Sequence, residues 1–121
     1  ITIIVSTPYM DEALRCDRIA LIQEGRLMGI DTPAAIRSSY GKRLYAVSHP
    51  DRYRLLLTLR GMPQATSPEP FGEAVHITLR EGTTTEDIKR LLEQAGIEGT
   101  AVNEIKPGIE DVFLDLMKKK Y

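Results

Sequence analysis

The segment AVHITLREGTTTEDIKRLLEQAG, Ala74 to Gly96, changes hydrophobic period partway along. Val75, Ile77 and Leu79 alternate with His76, Thr78 and Arg80, the two-residue period of a half-buried strand. Thr83-x-x-Glu86 then spells a capping box. Ile88, Leu91, Leu92 and Ala95 follow at helical spacing, and Gly96 supplies the stop. The segment is therefore a strand followed by an amphipathic helix.

Working outward, Thr100–Lys106 reads as a strand in which Ala101, Asn103 and Ile105 alternate with Val102 and Glu104. Upstream, Leu44–Ser48 is a strand. Ser48 is placed to cap a helix from about Pro50 to Arg60, with Tyr53, Leu56 and Leu57 on one face and Gly61 at its end. Gln64–Ser67 is a short strand. Pro68-Glu69-Pro70-Phe71-Gly72 is a turn, too proline-rich for an interior strand. The order from Leu44 to Lys106 is βαββαβ, the ferredoxin-like split pattern of an α+β domain. A further helix follows, with Ile109, Val112, Phe113 and Leu116 as its buried stripe. Glu110 and Asp111 begin it and Lys118–Lys120 end it, both favourable for the helix dipole.

The first third reads differently. Ile1–Ser6 is a strand apolar on both faces, the pattern of a parallel sheet covered by helices. Thr7 suits an N-cap and Pro8 the first helical position. Met10, Ala13 and Leu14 make Pro8–Arg15 a short helix. Arg18–Gln23 and Arg26–Ile30 form a hairpin around Glu24-Gly25. Asp31-Thr32-Pro33 starts a helix over Ala34–Tyr40, and Gly41 stops it.

Composition narrows the function classes. A chain of 121 residues makes one domain or two small ones. A net charge of -1 gives no basic surface for nucleic acid. No apolar run approaches the roughly 20 residues that cross a bilayer. The lone Cys16 excludes an internal disulfide, and Cys16, His49 and His76 are too dispersed for a zinc site. Asp11 and Glu12 are adjacent on a helix and do not face each other, so they read as solvated surface. Ser6 and Thr7 have no base nearby in sequence. RNA-binding βαββαβ domains stack bases on aromatics of the two central strands; here Tyr45 stands alone.

The stretch STPYMDEALRCDRIALIQEGRLMGIDTP, Ser6 to Pro33, resembles the end of the nucleotide-binding subunit of ATP-binding cassette (ABC) transporters of the bacterial multidrug-export group. Cys16-Asp17-Arg18-Ile19, Glu24-Gly25-Arg26 and Asp31-Thr32-Pro33 match that family in order and spacing. Ile109-Glu110-Asp111-Val112-Phe113-Leu114 is similar to the close of its accessory domain. The phosphate-cradling G-x-x-x-x-G-K-[ST] is absent: Gly41-Lys42 is followed by Arg43 and has no glycine five positions earlier.

The resemblance implies that residues 1–41 are the C-terminal remnant of an ATPase core and residues 42–121 an α+β accessory domain. Ile1–Ser6 is then expected to lie between parallel neighbours supplied by the rest of a longer subunit. By alignment Pro8 occupies the position of the family's switch histidine, which helps hold the attacking water at the γ-phosphate; no catalytic, cofactor-binding or metal-binding residue is otherwise assigned. ATP and magnesium are implied for the parent and none for this chain. The implied partners are a membrane-spanning subunit and a second ATPase subunit. The implied location is cytoplasmic, peripheral to the inner membrane. The accessory domain would regulate or dimerise the subunits, and a homodimer of the fragment through its N-terminal strand is a further expectation. The alternative is an independent ferredoxin-like regulatory module that binds a small molecule.

Overall fold

The computed structural model describes residues 1–119, Lys119 through its backbone alone; the expected basic run Lys118–Lys120 lies partly outside the described residues. The chain divides into two compact units, Ile1–Gly41 with Pro107–Tyr121, and Lys42–Lys106.

In the first unit the expected opening strand does not form. Ile1–Ser6 makes no strand pairing with any described residue, and Ile1, Ile3, Ile4 and Val5 are exposed, Ile4 at 92%. A single apolar strand without neighbours has no partner for its backbone and no face to cover its side chains. Helix α1 (Met10–Ala13) is shorter than expected and begins later. Its N-cap is Tyr9, with no side-chain cap, so Pro8 precedes the helix and is not its first residue. The Thr7 hydroxyl instead accepts a hydrogen bond from the Tyr9 N–H at 3.1 Å, a local turn that competes with capping.

Strands β1 (Ile19–Gln23) and β2 (Arg26–Asp31) form the expected antiparallel hairpin. Glu24 and Gly25 both adopt positive φ, 52° and 75°, as a two-residue turn of this hand requires. Helix α2 (Pro33–Ser38) starts as expected: the Thr32 hydroxyl accepts from the Ala35 N–H at 3.2 Å, and Pro33 takes the first turn.

The second unit contains β3 (Leu44–Ser48), α3 (Arg52–Arg60), β4 (Ala65–Phe71), β5 (Ala74–Leu79), α4 (Thr85–Gln94) and β6 (Ala101–Ile105). Its sheet has the order β4-β5-β3-β6, every neighbouring pair antiparallel. Tyr45 faces Ile77 and Val47 faces Val75 across β3 and β5. These four side chains join Leu55, Leu59, Ile88, Leu92 and Ile97 in the core. The fold is thus mixed α+β with antiparallel sheets.

Four local expectations in this unit are corrected. Helix α3 is capped by Asp51, not Ser48; its carboxylate accepts from the Arg54 N–H at 3.2 Å. Pro50 disfavours helical backbone at His49, so the helix starts beyond it. The buried residues of α3 are Leu55 and Leu59, whereas Tyr53 and Leu57 are exposed and Leu56 is half-buried. The proline-rich segment is not a turn: β4 runs through Pro68 and Pro70 to Phe71. As an edge strand it can lack amide donors, and its register shifts between Thr66 and Glu69 at a bulge where Ser67 has φ 52°. The capping box of α4 is Thr84 with Asp87, one residue later than expected.

The final helix, α5 (Ile109–Lys119), buries Ile109 and Val112 as expected, with Phe113 and Leu116 half-buried. The sequence reading joined it to residues 42–106. In the structure it packs against α2, in the first unit.

Candidate functional site

Pro8 is exposed, in the turn between the unpaired Ile1–Ser6 and α1. Proline has no N–H and no side-chain donor, so this position can shape the turn and cannot donate a hydrogen bond. Asp11 and Glu12 are exposed on the first turn of α1. Cys16 is half-buried, and its thiol donates to the Glu12 carbonyl at 3.9 Å. The described residues contain no cluster of three or more His, Cys, Asp or Glu placed to hold a metal. No helix among them is long and apolar enough to cross a membrane.

The first unit has a second feature that the sequence does not single out. Tyr40 is buried just after α2. Burial, with the Asp115 and Asp111 carboxylates of α5 nearby, pushes its phenol from 10.0 up to about 12. Asp111 is itself buried and accepts the Gly108 N–H at 2.9 Å, closing the N-terminus of α5.

The β1–β2 hairpin is apolar on both sides. Ile19 and Leu21 are buried, while Ile22, Leu27 and Ile30 are exposed, with Ala20 opposite Ile30. A hairpin normally presents a polar outer face. Together with Ile3, Ile4 and Val5 this leaves much aliphatic surface in contact with water.

In the second unit the structure separates the two histidines. His76 on β5 stacks on Phe71 of β4, ring centroids 4.2 Å apart. His49 lies at the end of β3, and its Nδ1 accepts the Asp51 N–H at 3.0 Å. It lines an open depression of about 600 Å³ with Ser48, Arg52, Glu73 and Ala101. Arg52 and Glu73 escaped sequence reasoning because nothing in their spacing brings a helix start and a hairpin turn together. The carboxylate of Asp87 is held below its ordinary range chiefly by the Thr84 backbone N–H, then by the Thr84 hydroxyl and Arg90.

No protein-family model matches the chain. Over 117 residues, 95% of its length, it is 30% identical to the probable multidrug ABC transporter ATP-binding protein YbhF of Escherichia coli (strain K12). It is 25% identical over 121 residues to the daunorubicin resistance ATP-binding protein DrrA2 of Streptomyces coeruleorubidus, again across 95% of the chain. A 70-residue stretch, 57% of the chain, is 41% identical to ATP-binding cassette sub-family A member 2 of Rattus norvegicus. The chain spans 20% of the first relative's length, 38% of the second's and 2% of the third's. Two such matches run across 95% of the chain, so it corresponds in sequence to one part of a multidrug-type ABC transporter ATP-binding protein.

Proposed function

We propose that residues 1–41 complete the ATPase core of an export-type ABC transporter subunit from its C-terminal side, and that the segment from residue 42 onward, whose α5 packs back on α2, is an accessory region that regulates or dimerises such subunits. The observation that carries the reading is the uncovered aliphatic surface of the first unit, Ile3–Val5 with Ile22, Leu27 and Ile30. Such a surface is unfavourable in water and suits a protein interior. In this reading the covering layer is the rest of the ATPase core. ATP and magnesium bind that core, a membrane-spanning subunit and a second ATPase subunit are the partners, and the assembly sits on the cytoplasmic side of a membrane. The accessory unit is of the ferredoxin-like kind, a reading supported by its βαββαβ order and by the sheet order β4-β5-β3-β6.

Within this reading Pro8 stands at the switch position. A histidine there offers a ring nitrogen to the γ-phosphate and attacking water; proline offers neither donor nor acceptor. The composite ATP site that uses this position is therefore weak in hydrolysis, and turnover depends on the partner site. The test is Pro8→His in the full-length subunit assembled with its transporter. ATP turnover is expected to rise by about a hundredfold, the low end of what a positioned general acid–base group contributes. Unchanged turnover with intact ATP binding would overturn the assignment of Pro8.

A further inference from the structure

The sheet of the second unit ends, at one rim, in a hollow. β3 finishes at Ser48, with Ala74 of β5 on one side and Ala101 of β6 on the other. Ser48 and Ala101, two small residues at neighbouring strand ends, both line the hollow. The depression of about 600 Å³ lies within the range of small-ligand sites, roughly 300–1,000 Å³.

The rim carries both signs of charge. Arg52 opens α3, whose N-terminal amides add positive potential. The His49 ring is pinned through Nδ1 by the Asp51 N–H, which leaves the hydrogen on Nε2 and makes that atom a donor. Glu73, ahead of β5, brings a carboxylate to the same rim. Among the described residues no ion pair joins Arg52 to Glu73. A simple anion attracted by Arg52 and His49 would meet repulsion from Glu73. A ligand bearing a carboxylate and an ammonium satisfies all three groups.

We propose that this depression binds a free α-amino acid, its carboxylate on Arg52 and the His49 Nε2–H and its ammonium on Glu73. The site is built wholly from residues of the second unit and does not depend on the ATPase reading; its failure leaves the Pro8 experiment untouched. An open, solvated site of this kind is expected to bind at about millimolar Kd, where ion pairs are partly screened.

The test is a two-dimensional amide NMR titration of the full 121-residue chain with L-alanine, L-serine, L-leucine, L-glutamate and L-lysine. Each is taken to about 20 mM, well above a millimolar Kd. At least one should give saturable shifts centred on the amides of Ser48, His49, Glu73, Gly99 and Ala101. Its N-acetyl and carboxamide derivatives, each lacking one charge, should bind about tenfold or more weakly, a loss of about 1.4 kcal/mol. Arg52→Gln and Glu73→Gln, both at exposed positions, should weaken binding to the same degree while leaving the rest of the spectrum in place. Absence of any saturable shift would overturn the proposal, as would shifts centred elsewhere. Equal binding of the N-acetyl derivative would also overturn it, since the site would then take an anion only.

Discussion

Single residues decide where elements begin and what their chemistry is. Thr83, Thr84 and Thr85 are chemically equivalent caps in sequence. Thr84 wins because Asp87 lies three residues beyond it and returns a bond to its N–H at 3.0 Å. A glutamate at the same spacing from Thr83 satisfied the sequence motif but not the fold. Tyr40 is the residue whose titration reports folding. Its phenol ionises near 10.0 when unfolded and at about 12 when folded. Below pH 10 both states keep the proton. Between those values the unfolded state loses it and the folded state retains it, so the unfolded state is favoured as pH rises. Tyr40 therefore contributes stability that is lost on passing to pH 12, by roughly 2 kcal/mol. Urea unfolding of the wild type and Tyr40→Phe at pH 9 and pH 11 should show a smaller decline for the variant. Parallel declines would refute a shifted Tyr40.

At the scale of elements, α3 shows what local pattern leaves open. Leu55, Leu56 and Leu57 follow one another, so successive leucines point about 100° apart and one face cannot be picked by hydrophobicity alone. The sheet picks Leu55 and Leu59, both at 0% exposure, and leaves Leu57 at 50%. Leu55→Ala should therefore cost about 2–5 kcal/mol through lost contacts and a cavity. Leu57→Ala should stay within about 0.5 kcal/mol. Chemical denaturation of the two variants decides it, and equal losses would contradict the packing described. β4 is the complementary case. Its two prolines argued for a turn, yet an edge strand needs only one set of partners, and the bulge at Ser67 absorbs the irregularity.

For the whole molecule, the contrast is between a unit whose apolar faces are closed and one whose faces remain open. The second unit encloses a core of eleven buried residues between one sheet face and two helices. The first leaves Ile1–Val5 and one hairpin face in solvent. Local opening energies should follow this division. Hydrogen exchange on the isolated chain should find the amides of residues 1–7 exchanging at unstructured rates, while the central strands β3 and β5 are the most protected. Protection of Ile3–Val5 above about tenfold would mean that the segment has found a partner, such as the strand of a second copy.

Sequence alone determined the elements whose signals are local. β3 occupies Leu44–Ser48 as read, the Glu24-Gly25 hairpin and the Thr32-Pro33 helix start are in place, and the motifs of Ser6–Pro33 already pointed to the ABC family. Caps, turns and two-residue periods act over a few bonds, and the chain writes them directly. Tertiary structure alone decided the inward face of α3, the strand character of Pro68–Phe71, the absence of a strand at Ile1–Ser6 and the meeting of His49, Arg52 and Glu73. Each of these depends on what lies alongside: an edge tolerates proline, a strand needs a neighbour to exist, and three strand ends meet only once the sheet is formed.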